Sequence, residues 1–457
     1  MRHSVRLKFL KSQLSTIEVS RRVGRIIGVH GGVLHVSGLD KQARIGDRAE
    51  VTRSTGDVLK AEVVQLLSDG IVLLPDEAVD GVALSDRVIL RPGGTIAPSQ
   101  SWVGRIVDPD GQPLDGKPLP RGSVPRPLRT SPPPAAQRRA MGGRLQTGHI
   151  VFDTMLPLVK GQRIGLFAGS GVGKSSLMGE FATRISADIV VIAMIGERGR
   201  EVRHFVDEVL GEKGRERAIV VAATSDQSPL VRRRCAWAAM AVAEHFRDEG
   251  KSVLFLADSI TRFAEAHREV AVAAGEAPVL RGFPPSTAHL IMSLCERAGP
   301  GIEGQGDITG VFSVLVAGSD MDEPVADILR GVLDGHVVLD RSIAERGRFP
   351  AVDVLRSVSR SLPAAATPEE NEILAQIRKH LSVYAQNQMM ISAGLYTQGT
   401  DPEIDLALTL NAALDDAMGT LHEQDPKHSF DQLRLILRRA GRAPKLKSNI
   451  LKDRQAG

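Results

Sequence analysis

Residues 168–175 read Ala168-Gly169-Ser170-Gly171-Val172-Gly173-Lys174-Ser175, directly after the apolar run Arg163-Ile164-Gly165-Leu166-Phe167. This is the composition of a phosphate-binding loop, and it stands where such a loop belongs, between a predicted strand and a predicted helix. The glycines let backbone N–H groups turn inward around phosphate oxygens, at a helix N-terminus that already favours anions. In such a loop Lys174 reaches the β- and γ-phosphates, and the Ser175 hydroxyl ligates Mg²⁺. Ser176 is counted with the loop as a nucleotide-binding position. Ala168 replaces the usual first glycine, a small-for-small change. The ligand class that follows is a nucleoside triphosphate with Mg²⁺.

Downstream and upstream of the loop the grammar is strand, helix, strand. Continuous apolar runs occur at 163–167, 189–195, 218–223, 252–257 and 310–317, with helical stretches such as 229–247 between them. β-branched strands alternating with helices imply an α/β domain with a mostly parallel sheet covered on both faces. The strand ending in Asp258 is expected beside the loop strand. After about residue 362 strand signals fade, and 369–386, 403–418 and 430–439 read as helices. Residues 22–95 differ again: short β-type runs at 23–29, 33–36, 47–52, 60–67, 71–74 and 87–90 are broken by Gly and Asp, which suggests a small β-barrel. A connector over 97–140 carries a turn at Asp108-Pro109-Asp110-Gly111 and a Pro-rich stretch at 131–134. The expected divisions are an amphipathic segment at 1–21, a barrel at 22–96, the nucleotide-binding domain with its connector at 97–362 and a helical domain at 363–457. In the first segment Phe9, Leu10, Leu14 and Ile17 recur at helical spacing among Arg2, Arg6, Lys8 and Lys11, though a solvated tail has the same composition.

Composition narrows the class. The chain has 457 residues, with 58 Lys+Arg against 54 Asp+Glu. So small an excess permits an acidic partner or membrane surface without demanding nucleic acid. Two cysteines, Cys235 and Cys295, both in predicted helices, exclude a disulfide framework and point to a reducing compartment. No apolar stretch approaches the ~18 residues of a membrane span, and the N-terminus lacks a secretory core. A cytoplasmic location is expected. The twelve histidines form no cluster with metal-ligand spacing.

The remaining chemistry lies at strand ends. Ser252-Val253-Leu254-Phe255-Leu256-Ala257-Asp258 is an apolar strand ending in a carboxylate, which would hold the Mg²⁺ shell through water. Gly196-Glu197-Arg198-Gly199-Arg200-Glu201 follows another strand. Hydrolysis needs a carboxylate that polarises the attacking water, and Glu197 is the candidate base, with Glu201 behind it. Arg198 would contact the γ-phosphate or position Glu197. Arg360, in Arg356-Ser357-Val358-Ser359-Arg360, would neutralise charge developing in transfer if a neighbouring subunit supplied it; a surface arginine is the plain alternative. Phe349, before Pro350, would stack on an adenine base, unless it is an ordinary core residue.

These stretches, with Leu256-Ala257-Asp258-Ser259-Ile260-Thr261-Arg262-Phe263-Ala264, Arg281-Gly282-Phe283-Pro284-Pro285-Ser286 and Arg348-Phe349-Pro350-Ala351-Val352-Asp353, resemble the rotary hexameric ATPase family. Within it the wording is similar to the branch of flagellum-specific ATPases of type III protein export, over about residues 22–440. The resemblance implies an N-terminal β-barrel, a RecA-like P-loop domain and a C-terminal helical domain, arranged as a homohexameric ring. It implies that Lys174 and Ser175 bind phosphate and Mg²⁺, Glu197 is the catalytic base, Asp258 serves Mg²⁺, Arg262 lies near the γ-phosphate, Phe349 packs on adenine and Arg360 is an arginine finger acting in trans. The implied reaction is hydrolysis of MgATP in aid of flagellar protein export, at the cytoplasmic face of the inner membrane. The implied partners are a regulatory stator-like protein at the N-terminus, a central stalk protein in the pore, export-gate membrane proteins, and export substrates with their chaperones. Ala257 departs from many relatives, which carry a bulkier or polar residue before the aspartate; packing, not metal chemistry, should feel it.

Of three other functions that share this core, the virulence export ATPase is the main alternative, the ATP-synthase subunit is less favoured and the RNA translocase is argued against. A virulence type III secretion ATPase shares the motifs. A catalytic subunit of a rotary ATP synthase would carry a long acidic lever loop, and 362–457 offers only short acidic clusters. An RNA translocase would need aromatic platforms on its barrel, yet residues 21–101 contain no Phe, Tyr or Trp.

Overall fold

Along the N-terminal strands, buried and exposed side chains alternate, and this alternation lets a small sheet close on itself. A computed structural model describes residues 22–91, 93–279, 281–316, 321–422 and 425–441. The amphipathic helix expected at 1–20 lies outside the described residues. Strands β1 (Gly24–His30), β2 (Val33–Ser37), β3 (Arg48–Thr52), β4 (Val58–Leu66), β5 (Ile71–Pro75) and β6 (Arg87–Arg91) form a closed barrel in the order β1-β2-β5-β4-β3-β6. Every pairing is antiparallel, and β6 returns to β1 with Val88 opposite Gly24. The inward positions, among them Ile26, Leu34, Val36, Val51, Leu59, Val63, Leu73 and Val88, form one fully buried cluster. The six strands fall where the sequence places them. The barrel belongs to one compact unit together with residues 227–231 and 266–284, and the other described residues form a second.

The second unit is built on a nine-stranded sheet. Its strands are β7 (Ile106–Val107), β8 (Arg163–Ala168), β9 (Ile189–Glu197), β10 (Ala218–Thr224), β11 (Val253–Asp258), β12 (Asp307–Leu315), β13 (Gly335–Leu339) and β14 (Val352–Ser359), with Gly299–Pro300 pairing on β12. The order is β14-β13-β8-β12-β11-β9-β10-β7, parallel except for the edge strand β14 and the short Gly299–Pro300 strand. One expectation is corrected here: β11 does not lie beside β8. Strand β12 pairs in parallel with both and separates them. Its residues from Ile308 to Val314 are all buried, and a backbone buried that completely needs a hydrogen-bonding neighbour on each side. Strands β13 and β14 are not among the sequence-based expectations either.

The helices that matter below are α1 (Lys174–Arg184), α2 (Gly199–His204), α3 (Pro229–Asp248), α4 (Ile260–Ala273), α5 (Ser286–Cys295), α6 (Pro368–Ser392), α7 (Pro402–Met418) and α8 (Pro426–Gly441). Helix α6 starts with a reciprocal capping box: the Thr367 hydroxyl accepts from the Glu370 N–H at 3.2 Å, and the Glu370 carboxylate accepts from the Thr367 N–H at 3.0 Å. Ile377 of α6, Leu410 and Leu414 of α7, and Phe430 and Leu433 of α8 share one hydrophobic cluster with Phe152, Leu177 and Ile192. Within this unit, therefore, the C-terminal helices and the sheet share a core. Cys235 in α3 and Cys295 at the end of α5 are wholly buried, and burial pushes both thiols far up. Among the described residues no helix is long and apolar enough to cross a membrane.

Candidate active site

Strands β8, β9, β11 and β12 are parallel, so their carboxyl ends lie along one edge of the sheet, where ligands of open α/β sheets bind. Strand β8 ends at buried Ala168, paired with Leu315 and Leu339. The loop then turns through left-handed residues at Gly171 (φ +76°) and Gly173 (φ +85°). Val172 between them is buried in the hydrophobic cluster and pins the loop, while Ser170, Gly171 and Ser175 are exposed and Lys174 is partly so. Gly173 is the N-cap of α1; no side chain caps this end, and the first turn holds no acid. The backbone N–H groups there have no partner within the helix, which makes an anion site.

The Lys174 ammonium pairs with the Asp258 carboxylate; both side chains are nearly buried. The Ser313 hydroxyl of β12 donates to the same carboxylate at 2.7 Å. On the neighbouring strand β9, the register slips between Ile195 and Glu197 against β10, and Gly196 sits at φ +69°. A bulge of this kind re-aims a side chain at a strand end. A Cβ at Gly196 would make only ordinary contact, 3.4 Å from side-chain atoms of Arg232 and Arg262, so it is the positive φ of the turn that favours glycine here.

Glu197 is half-buried, and its carboxyl is pushed up to about 7. Burial is the main cause. The Asp258 charge and a hydrogen bond to Glu201 add to it, and Lys174 opposes it. Glu201 moves the other way, held below its usual range chiefly by accepting that hydrogen bond. Arg262 donates to Glu265 at 2.8 Å, and the Glu197 and Glu201 charges also favour its cationic form. Arg198 is largely exposed and reaches Glu201 at 3.3 Å.

Phe349 lies against the loop although it is far away in sequence. A Cβ built on Gly173 would be 3.1 Å and 3.2 Å from two of its ring atoms. The side chain is 51% exposed, which suits a stacking face better than a core residue. Arg360 is the expected site residue that this chain does not bring to the others. It follows β14, which starts near Phe349 and runs antiparallel to β13, so Arg360 lies at the opposite end of the sheet. Because β14 is bulged, its ends stand opposite Leu339 and Gly335 of β13, four steps of ~3.3 Å or roughly 13 Å apart along the sheet. There Arg360 is exposed, donates to the Arg330 carbonyl at 3.2 Å and borders an open cavity of about 630 Å³ with Arg144 and Glu370.

The donor set fits Mg²⁺ bound with a triphosphate. It offers one buried carboxylate, Asp258, one accessible hydroxyl, Ser175, and an uncapped helix end for phosphate oxygens. Among the described residues no group of three or more His, Cys, Asp or Glu gathers into an all-protein cage. Mg²⁺ is ordinarily held in this sparse way, by one or two carboxylates, water and substrate phosphates. Ser313 was missed by sequence reasoning. Its signal was a hydroxyl inside the apolar run Val311-Phe312-Ser313-Val314-Leu315.

Comparison with known proteins places the chain in a family. Residues 148–359 match the ATP synthase alpha/beta family, nucleotide-binding domain, and residues 366–433 match the T3SS EscN ATPase C-terminal domain. The flagellum-specific ATP synthase of Caulobacter vibrioides is 45% identical over 399 residues, covering 86% of this chain and 90% of that protein. The chain belongs to the ATP synthase alpha/beta family. Among solved structures of this ATPase family, assembled EscN from the enteropathogenic E. coli type III secretion system has 35% identity and a TM-score of 0.84, covering 91% of this chain and all of that one. EscN in complex with its central stalk EscO has the same identity and coverage, with a TM-score of 0.81. The matched nucleotide-binding region of the family takes in Lys174, Glu197, Asp258, Arg262, Ser313 and Phe349 and stops one residue before Arg360.

Proposed function

We propose that this ATPase hydrolyses MgATP as one subunit of a homohexameric ring and that hydrolysis assists export of flagellar proteins through a type III apparatus. The observation that carries the chemistry is the half-buried Glu197 carboxyl beside the Lys174–Asp258 pair, at the mouth of an uncapped helix end. Its affinity for protons, raised to about 7, matches a general base working near neutral pH. In this reading Glu197 takes the proton of the attacking water. Glu201 and Arg198 fix its orientation. Lys174, the loop N–H groups and Arg262 meet the negative charge of the phosphates. Phe349 offers its face to adenine. Asp258 and Ser175 would hold Mg²⁺, which neutralises charge on the β- and γ-phosphates when bound. Arg360 sits at the other end of β14 and is held by the Arg330 carbonyl rather than turned to its own loop, and it is assigned to the loop of a neighbouring subunit.

Higher identity to the flagellar relative, 45% against 35% for EscN, supports the flagellar reading over the virulence one. The assembled state of EscN and its complex with a central stalk support a homohexamer with a stalk protein in its pore. The same reading places the ring in the cytoplasm against the inner membrane. There a stator-like regulator meets the N-terminal segment, and export-gate proteins, substrates and chaperones meet the ring. The deciding experiment pairs hydrolysis with binding: Glu197→Gln should lower turnover about 10²- to 10⁴-fold while MgATP still binds. Near-normal turnover would remove Glu197 as the base. Loss of swimming on deletion of the gene, restored by the intact gene but not by Glu197→Gln, would tie the chemistry to the flagellum.

A further inference from the structure

The mechanism above gives Ser313 no part, yet its side chain touches the centre of the site. It is fully buried in β12, between the loop strand β8 and the aspartate strand β11. A buried hydroxyl needs a hydrogen-bond partner, and the flanking residues Val311, Phe312, Val314 and Leu315 have no polar side-chain atoms to offer. It donates to Oδ1 of Asp258 at 2.7 Å, the same oxygen that receives the Lys174 ammonium. A second tie lies two residues further along β12. The Leu315 N–H donates to the Thr261 hydroxyl at 2.9 Å, and that hydroxyl donates to the Leu315 carbonyl at 3.3 Å. The ladder between β11 and β12 ends with Ala257 opposite Phe312, so Asp258 and Ser313 stand one step past the last pair. The end of β12 is thus laced at two points to the segment 258–261 that carries the aspartate.

We propose that Ser313 is a positioning residue that holds the Asp258 carboxylate in one orientation while Lys174 exchanges Asp258 for the phosphates of the nucleotide. Lys174 serves two acceptors in turn. When it leaves, a buried carboxylate keeps its direction only if another donor stays on it, because an unsatisfied buried charge rotates to find a partner. The Ser313 hydroxyl is that donor. It occupies Oδ1 and leaves the other oxygen of Asp258 for the Mg²⁺–nucleotide complex. Ser313 meets neither substrate nor metal and acts through Asp258 alone. The proposal rests on Asp258 serving the Mg²⁺-bound nucleotide.

The test is a titration of Mg²⁺ against a fluorescent ATP analogue bound to the full chain, with hydrolysis measured in parallel. In Ser313→Ala, binding of the analogue without Mg²⁺ stays as in the unaltered chain, because Lys174 and the loop are untouched. The Mg²⁺ concentration for half-saturation rises about ten-fold, equivalent to ~1.4 kcal/mol, and turnover falls by a similar factor. In an Asp258→Ala background, adding Ser313→Ala leaves the Mg²⁺ response unchanged, as expected of residues acting through one another. An unaltered Mg²⁺ response in Ser313→Ala, or an equal loss in both backgrounds, would overturn the proposal. If Asp258→Ala by itself leaves the Mg²⁺ response intact, the Asp258 assignment falls as well. If Asp258→Ala abolishes the response and Ser313→Ala spares it, only the Ser313 proposal falls.

Discussion

At the carboxyl end of the central sheet, Lys174 pairs with Asp258, Ser313 donates to the same carboxylate, and the Asp258 charge helps hold the proton on Glu197. At the other end Arg360 stands exposed, its guanidinium donating to the Arg330 backbone carbonyl. The first end is self-sufficient, because its buried charges are answered nearby. The second carries a cation that, among the described residues, meets a neutral carbonyl and not a carboxylate. On the proposed reading, one chain suffices to bind a nucleotide, whereas completing the charge balance of hydrolysis takes an assembly.

The largest effect that would test this contrast is at Arg360. Arg360→Ala should lower turnover of assembled rings roughly 10³-fold and leave nucleotide affinity of the single chain nearly unchanged. Rings mixed from Arg360→Ala and Lys174→Ala chains should regain activity, because an intact loop then faces an intact arginine. No regain in rings shown to be mixed would mean that Arg360 does not act across subunits.

A smaller effect is expected at Phe349, which belongs to the self-sufficient end. Phe349→Ala should weaken MgATP binding by about 2- to 10-fold, the worth of one aromatic stacking contact at ~0.5–1.5 kcal/mol, with turnover at saturation little changed. Equal loss of turnover at saturating ATP would place the ring in the reaction step instead.

The smallest effect is on stability, and its sign follows from Glu197. This carboxyl holds its proton up to about pH 7 in the folded chain, whereas an ordinary solvated glutamate gives it up at 4.5. Between those values the folded state binds more protons, so stability is full below the lower value and is lost as pH rises through the upper one. Glu197→Gln lacks that loss. Its melting temperature without nucleotide should exceed that of the unaltered chain by more near pH 8 than near pH 5.5, by a few degrees at about this chain length. The same difference at both values would show that burial does not hold the proton on Glu197.

Much of this was legible in the sequence, for reasons particular to each element. The barrel strands β1, β2 and β3 read as short β-type runs set off by Gly and Asp, and the buried strands β8 to β12 read as continuous apolar runs. Strand β14 was hidden because an edge strand needs apolar cover on one side only. Asp353, Arg356 and the serines then dilute its pattern, and the motif ending in Arg360 drew the reading instead. Sheet order was hidden too, since nothing in β12 says that the chain returns to slot it between β8 and β11. The phosphate loop, Glu197, Asp258 and Phe349 were visible as residue types at strand ends. Ser313 was not, because a hydroxyl in an apolar strand acquires meaning only once its acceptor on another strand is known. The raised affinity of Glu197 for protons was equally invisible, because it depends on burial and on Asp258, 61 positions away.

The interior location of both cysteines has a practical side. Cys235 and Cys295 are the whole thiol inventory of the chain, and each is sealed in the core with its thiolate form strongly disfavoured. A maleimide dye added to the native protein would find nothing to react with. One cysteine engineered onto an exposed position beside Arg360, such as Val358, would carry the label alone. No background substitutions would be needed before measuring by energy transfer how far that edge stands from a labelled nucleotide on the next subunit.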